Sequence, residues 1–261
     1  MHLKEICFQA LGIVKETGAY IRTERKHFEN IQIESKGVRD FVTVVDKNAE
    51  KQLGAALANL LPEAGFITEE KVVEQSDKKL KWIIDPLDGT MNYIHGIPIY
   101  SISVALMEEN EIIIGIVYEI NNDEIFYTWK DAPSYMNKKQ IDVSGCAVME
   151  NALIVTGFPY TRTGRVEGIT KTLSYFLERC RDIRRLGSAA VDLCYVASGR
   201  IDAYYEGYLN IWDIAAGIII VKNAGGTTTN FTGEENYNKG NIVAANRIMH
   251  PQILKGIMFD K

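Results

Sequence analysis

Nine residues constrain this chain more than any others: Trp82-Ile83-Ile84-Asp85-Pro86-Leu87-Asp88-Gly89-Thr90. The stretch begins apolar, as a buried strand does, and then places two carboxylates three residues apart. Pro86 has no N–H and a fixed φ, which predicts that the regular strand breaks there. The bend that follows can turn both carboxylates to one point, and oxygen-rich points of this kind hold hard cations such as Mg²⁺. The N–H groups at Gly89 and Thr90 would open a new helix, where anions are stabilised. One short segment thus offers a metal site beside a phosphate site.

Composition narrows the remainder. The chain has 261 residues, 46% hydrophobic and 24% charged, ample for one large domain or two packed lobes. A net charge of -5 disfavours a general nucleic-acid binder, which would be basic. Cys7, Cys146, Cys180 and Cys194 form no Cys-x-x-Cys pair and read as reduced thiols of a cytoplasmic protein. Leu3, Ile6, Cys7, Ala10, Val14 and Ile21 recur at helical spacing, so the N-terminus reads as an amphipathic helix and not an export signal. The longest apolar run, Ile214 to Val221, is far shorter than the ~20 residues of a membrane span.

In chain order, a helix is expected over about 3–25 and a short strand over Ile31-Gln32-Ile33-Glu34. Asp40-Phe41-Val42-Thr43-Val44-Val45-Asp46 reads as a β-branched strand, with Asp46 capping the helix after it. Leu53, Ala56, Leu57, Leu60 and Leu61 give that helix its apolar stripe, and Pro62 ends it. Phe66 to Glu70 is a short strand running into two acids, and 71–80 is loop. Strands are expected near 99–107, 111–118 and 124–129, the last two joined at Asn121-Asn122-Asp123. Exposed turn-rich residues at 131–133 and 137–140 place a lobe boundary near 140, giving lobes 1–140 and 141–261. The second lobe alternates strand and helix: strands at 152–156, 182–186, 201–205, 227–231 and 242–245, helices at 165–179, 189–197, 212–224 and after 245. That alternation indicates an α/β lobe.

Six acids fall at strand ends or helix starts, where active-site groups gather in α/β proteins: Asp46, Glu69, Glu70, Asp85, Asp88 and Asp213. Any one alone reads equally as a cap or a turn residue. The Asp85/Asp88 pair is different, because two close carboxylates repel unless a cation intervenes. Asp213 stands between Trp212 and a strongly apolar helix, where an unpartnered charge is expensive. His2, His27, His95 and His250 have no ligand spacing, which argues against zinc. Ser188 follows Gly187, but no Gly-x-Ser-x-Gly surrounds it; Gly187-Ser188-Ala189 is either a plain helix start or a pocket wall. Arg179, Arg181, Arg184 and Arg185 read as a solvated face or a subunit contact.

Asp85-Pro86-Leu87-Asp88-Gly89-Thr90-Met91-Asn92-Tyr93-Ile94-His95 resembles the first signature of the inositol monophosphatase family. Trp212-Asp213-Ile214-Ala215-Ala216-Gly217, running to Gly225-Gly226, resembles the second. Asp40 to Asp46 and the Glu69-Glu70 pair are also similar to family elements. The resemblance implies the fold shared with fructose-1,6-bisphosphatase, a layered αβαβα sandwich with an α+β lobe and an α/β lobe. It implies a Mg²⁺-dependent, Li⁺-sensitive phosphomonoesterase with two or three Mg²⁺ ions per active site. Carried over by position, Glu69, Asp85 and the Leu87 carbonyl would hold one Mg²⁺, and Asp85, Asp88 and Asp213 another. Thr90 with Asp46 resembles the pair that positions the attacking water, helped by Glu69, with Glu70 behind it. The N–H groups of Gly89 and Thr90 would grip phosphate. Gly187, Ser188, Ala189, Asp213 and Glu206 would line the pocket for the alcohol, Glu206 lying seven residues before Asp213 as in inositol-cleaving members. Thr68 stands where glycine usually precedes the glutamate pair, and Met91 fills a variable slot.

The expected substrate is therefore myo-inositol monophosphate or a similar polyol or sugar phosphate, cleaved by in-line attack of a metal-activated water. NADP, fructose-1,6-bisphosphate and adenosine 3′,5′-bisphosphate are the alternatives within the superfamily. A second class of function is regulatory, since some bacterial relatives look like proteins that bind transcription machinery. Family members are commonly homodimers, so the expected partners are a small phosphorylated substrate and a second copy of the chain, with no membrane and no direct nucleic-acid contact.

Overall fold

In the computed structural model, residues 2–27, 33–37, 40–159 and 163–258 are described. The first helix, α1, runs Leu3–Lys26 and buries Cys7, Ala10, Val14, Thr17, Gly18 and Ile21, the helical spacing of its apolar residues. Residues 31 and 32 of the expected early strand lie outside the described residues. The strand that is described, β1 (Ile33–Gly37), pairs antiparallel with β2 (Asp40–Thr43).

The expected strand at 40–46 stops at Thr43, and Val44 already begins helix α2 (Val44–Leu60). A capping box overrides the β-branched pair Val44-Val45. The Thr43 hydroxyl accepts the Val45 N–H at 3.1 Å, while Asp46 Oδ2 accepts the Thr43 N–H at 2.8 Å. Asp46 therefore reaches back from the third helical position, and Thr43 is the cap.

Five layers follow. A seven-stranded sheet contains β3 (Gly65–Thr68), β4 (Leu80–Asp88), β5 (Ser101–Glu108), β6 (Glu111–Glu119), β7 (Glu124–Trp129), β8 (Tyr135–Met136) and β9 (Lys139–Gln140), neighbouring in that order. Helices α1 and α2 cover one face, burying Trp82, Ile84, Val104, Ile116 and Tyr127 against Leu53 and Leu57. The other face presents Ile83, Ala105, Val117 and Phe126 to α5 (Ala189–Ala197) and α6 (Ile211–Asn223). Beyond these lies a five-stranded sheet, ordered β11 (Asp182–Arg184), β10 (Leu153–Thr156), β12 (Ala203–Glu206), β14 (Ile242–Asn246) and β13 (Gly226–Thr229). Its outer face packs on α4 (Val166–Leu177) and α7 (His250–Gly256) through Phe176, Tyr205, Met249 and Ile253. This is the expected αβαβα sandwich. A central sheet buried on both faces explains why β5 is buried over its first six residues instead of alternating.

Two further details depart from expectation. β4 does not end at Pro86; it continues to Asp88 through a bulge in which Pro86 and Leu87 face the single residue Ile102 of β5. A bulge accepts a residue without an N–H and re-aims its neighbours, so the proline bends the strand without terminating it. The turn-rich residues near 131–140 hold the two short strands β8 and β9, joined at Asn137 and Lys138, both at positive φ.

Candidate active site

The bulge sets the site. It releases Asp85 and Asp88 from plain alternation, and Asp85 Oδ1 accepts the Leu87 N–H at 2.9 Å across the proline. Gly89 then takes φ 93°, a left-handed turn into the short helix α3 (Thr90–His95). A Cβ at Gly89 would stand 3.1 Å from the Ile99 carbonyl and 3.2 Å from that of Gly187, so this turn also lets two distant segments meet.

Thr90 follows. Its Oγ1 lies 3.2 Å from Asp46 Oδ1 and 3.0 Å from the Leu87 carbonyl. A hydroxyl has one proton for these two acceptors, so its lone pairs remain available to a third partner. Asp46 is fully buried. Burial pushes its carboxyl up to about 6, against the lowering effect of the bonds from Thr43.

The other acids arrive from separate elements. Glu69 follows β3, and its N–H donates to the Ile84 carbonyl at 3.2 Å, beside Asp85. Asp213 sits in the first turn of α6, where Oδ2 accepts the Asn210 N–H at 2.6 Å. Asp88 Oδ2 accepts from the Ser188 hydroxyl at 2.6 Å and from the Ala190 N–H at 2.8 Å. The N-terminus of α5 is thus occupied by a carboxylate of the protein, a favourable end for it. Ala190 is a partner that sequence reasoning did not single out.

Burial and the neighbouring carboxylates raise Asp85, Asp88 and Asp213. Asp85 is pushed up first by burial, then by Glu69, Asp88 and Asp213. Asp213 is pushed up by burial, then by Asp88 and Glu69. Asp88 rises to about 6 by burial, opposed by the bonds from Ser188 and Ala190. Asp85 and Glu69 hydrogen-bond carboxyl to carboxyl. Among the described residues, no three His, Cys, Asp or Glu side chains stand as a ready-made metal cage. The fold instead turns one oxygen of Asp85, Asp88 and Asp213 each onto its own donor. The donor set nevertheless fits a hard cation: carboxylates only, no thiolate or imidazole, with Asp85, Asp88 and Asp213 close enough to raise one another.

These acids line a cleft of about 330 Å³ together with Gly89, Thr90, Lys71, Arg185, Gly187, Ser188, Ala189 and Glu206. A larger hollow of about 1030 Å³ borders Asn210 and Trp212 but includes none of Glu69, Asp85, Asp88 or Asp213. Glu206, at the end of β12, is buried and bonded by the Tyr204 hydroxyl at 2.7 Å. Burial pushes it up to about 7, while Tyr204 and Arg185 pull it back. A Cβ at Gly157 would run into its carboxyl, so glycine there is what seats it.

The structure gathers every expected site residue except Asp46, Glu70 and Leu87 onto the cleft wall, and joins Asp46 and Leu87 through the Thr90 hydroxyl. His95 is exposed and does not line the cleft. The arginines separate: Arg179 bonds Glu178, Arg184 pairs with Asp182, Arg181 bonds Asn151, and only Arg185 lines the cleft. Sequence reasoning missed Thr43, Lys71 and Asn92. Asn92 Nδ2 bridges the Ile99 and Leu186 carbonyls at 2.7 and 2.8 Å, pinning α3 to the chain that leads into α5. The Thr43-x-x-Asp46 pattern was a readable signal for the first; nothing local marks the other two.

A fold with this acid-lined cleft defines a class of phosphatases. The chain belongs to the inositol monophosphatase family, whose model matches residues 2–259. It is 36% identical over 231 residues to an inositol-1-monophosphatase of Mesorhizobium japonicum, covering 88% of this chain and 87% of that one. It is 37% identical over 251 residues to the Nus factor SuhB of Vibrio cholerae, covering 95% and 92%. The crystal structure of the extragenic suppressor protein suhB from Bartonella henselae superposes with a TM-score of 0.93 at 32% identity over 100% of both chains. Membership supports a phosphatase as the class of activity.

Proposed function

We propose that this protein is a Mg²⁺-dependent phosphomonoesterase acting on myo-inositol monophosphate or a similar polyol or sugar phosphate. The observation that carries the reading is the gathering of Glu69, Asp85, Asp88 and Asp213 in one cleft beside the Thr90–Asp46 pair. Glu69, Asp85 and the Leu87 carbonyl would hold one Mg²⁺, and Asp85, Asp88 and Asp213 another. When bound, the ions supply charge neutralisation for the phosphate and Lewis acidity toward water and leaving oxygen. Asp46 Oδ1 accepts the hydrogen bond of the Thr90 hydroxyl, so a lone pair of the Thr90 oxygen is turned to accept from a water and aim it, with Glu69 on its other side. The N–H groups of Gly89 and Thr90 hold the phosphate. Glu206, seated by Tyr204 and Gly157, accepts from the hydroxyls of the alcohol, with Gly187, Ser188 and Ala189 as the opposite wall. The proposal divides the chain into lobes near residue 140, with the cleft between them, and takes the working form to be a cytoplasmic homodimer. Among the described residues, no helix is long and apolar enough to cross a membrane.

The test is phosphate release from a substrate panel. Inositol monophosphate should be cleaved with Mg²⁺, not after chelation, and tens of millimolar Li⁺ should inhibit. A faster rate on NADP, fructose-1,6-bisphosphate or adenosine 3′,5′-bisphosphate would replace the substrate. Gly157→Ala should displace Glu206, raising KM for inositol monophosphate about tenfold, the usual effect of taking one substrate-binding group out of a pocket. Hydrolysis of p-nitrophenyl phosphate, which has no polyol hydroxyls, should change little. Equal losses on both substrates would remove Glu206 from the alcohol pocket. A second reading, a regulatory protein acting on transcription, is favoured by the name of the Vibrio relative. It predicts that a catalytically dead variant still retains its partners from cell extract.

A further inference from the structure

Helix α2 buries a second carboxylate, Glu50, one turn beyond Asp46 and fully enclosed. No residue of the proposed chemistry touches it directly, yet it gathers four donors. Glu50 Oε1 accepts from the Thr68 hydroxyl at 2.8 Å and from the N–H groups of Val72 and Val73 at 2.6 and 3.3 Å. Its Oε2 accepts the Glu70 N–H at 2.7 Å. The backbone converges this way because Lys71 takes φ 54°, a left-handed turn that brings successive N–H groups to one side. Gln75 closes the cradle: its amide accepts the Thr68 N–H and donates to the Thr68 hydroxyl, both at 2.9 Å.

The two Glu50 oxygens therefore hold Thr68 and Glu70, the residues on either side of Glu69. Between β3 and β4 the chain has no other regular element to fix that position. Thr68, which stands where glycine is usual, supplies a donor that glycine lacks. Asp46 and Glu50 lie four residues apart on one face, about 6 Å along the helix axis. The first holds Thr90 and the second brackets Glu69.

We infer that Glu50 is a positioning residue: through α2 it sets the place of Glu69 relative to the Thr90–Asp46 pair, and so tunes metal affinity without touching the metal. The inference rests on the proposed metal role of Glu69. Glu50→Gln keeps the size of the side chain but turns an NH₂ toward N–H donors, so the cradle opens. The experiment measures amide hydrogen exchange and direct Mn²⁺ binding by electron paramagnetic resonance on the whole chain. Leu57→Ala, a buried change in the same helix, serves as the control for reduced stability. In Glu50→Gln, protection at Glu70, Val72 and Val73 should fall at least about tenfold and the Mn²⁺ dissociation constant rise about 10- to 100-fold, as when outer hydrogen-bond partners of metal ligands are removed. Leu57→Ala should leave both within about twofold, since residue 57 lies about two turns beyond Glu50 along α2. Unchanged protection at those amides, or reduced protection with wild-type Mn²⁺ affinity, overturns the inference. Should Glu50→Gln fail to fold, Thr68→Val removes one donor and should weaken Mn²⁺ by about threefold; no change overturns it equally. A wild-type chain that takes up no Mn²⁺ overturns the metal reading instead, and amide protection alone then decides whether Glu50 holds the loop.

Discussion

Asp88→Asn should lower Mg²⁺-dependent phosphate release at least ~100-fold while leaving the fold intact, a loss typical of removing a key electrostatic group. The substitution is nearly isosteric. The asparagine carbonyl can still accept from the Ser188 hydroxyl and the Ala190 N–H, so α5 keeps its place against β4. What disappears is one negative charge from a cleft where burial already pushes Asp88 up to about 6. A group that costs folding free energy by being charged is tolerated where its charge serves the cleft. The variant should therefore melt at the same temperature as the parent or higher without Mg²⁺, and lose the Mg²⁺-induced rise in Tm. Phosphate release at saturating Mg²⁺ and a melting curve with and without the ion measure both halves. Near-normal turnover at saturating Mg²⁺ would remove Asp88 from the metal set and, with it, the two-ion assignment.

The site was legible where a local pattern carries its own chemistry. Asp85, Asp88 and Asp213 stand out because carboxylates beside apolar runs need a reason to be there. Helix 189–197 was readable because small apolar residues run between Gly187-Ser188 and Gly199. The start of α2 differs from expectation because Val44-Val45 favours a strand, and the capping box that overrides this preference depends on the Thr43 and Asp46 side chains meeting. Pro86 differs because a bulge depends on the partner strand, where two residues face Ile102. Glu50 was invisible for a further reason. Its four donors come from residues 18 to 23 positions away, and only the left-handed Lys71 directs the backbone ones to it. Ser188 carries a signal for a pocket wall, but its hydroxyl is committed to Asp88, a partner 100 residues away.

Metal-stripped protein should lose stability as the pH rises from about 4 to about 7, the reverse of the usual acid-denaturation trend. A carboxyl whose pKa is higher folded than unfolded binds protons more tightly in the folded state. It costs nothing while protonated in both states, and its penalty grows as the pH climbs from the unfolded value near 4 through the folded one. Asp46, raised to about 6, and Glu206, raised to about 7, set the window, and Asp85, Asp192 and Asp213 are pushed up as well, each mainly by burial. At about 1.4 kcal/mol per unit, Asp46 and Glu206 each account for about 3 kcal/mol before the cleft relaxes. Three groups pull the other way. Glu167 and Asp182 are lowered by Lys171 and Arg184, but they are exposed and screened. His250, lowered by burial, adds one opposing proton below neutrality. The acids outweigh these, so Tm in chelator should fall by about 5–10 °C across the window, a few kcal/mol for a chain of this size. Saturating Mg²⁺ should restore about 3 kcal/mol at 100 times its dissociation constant. The gain should be larger at the alkaline end, where protons no longer compete for the carboxylates. Asp88→Asn should flatten the slope in chelator, since it removes one of the raised carboxyls. A chelated protein whose Tm is flat or rises over this range would mean that the cleft acids are compensated by the protein itself, and the physical case for a cation in the cleft would fall with that result.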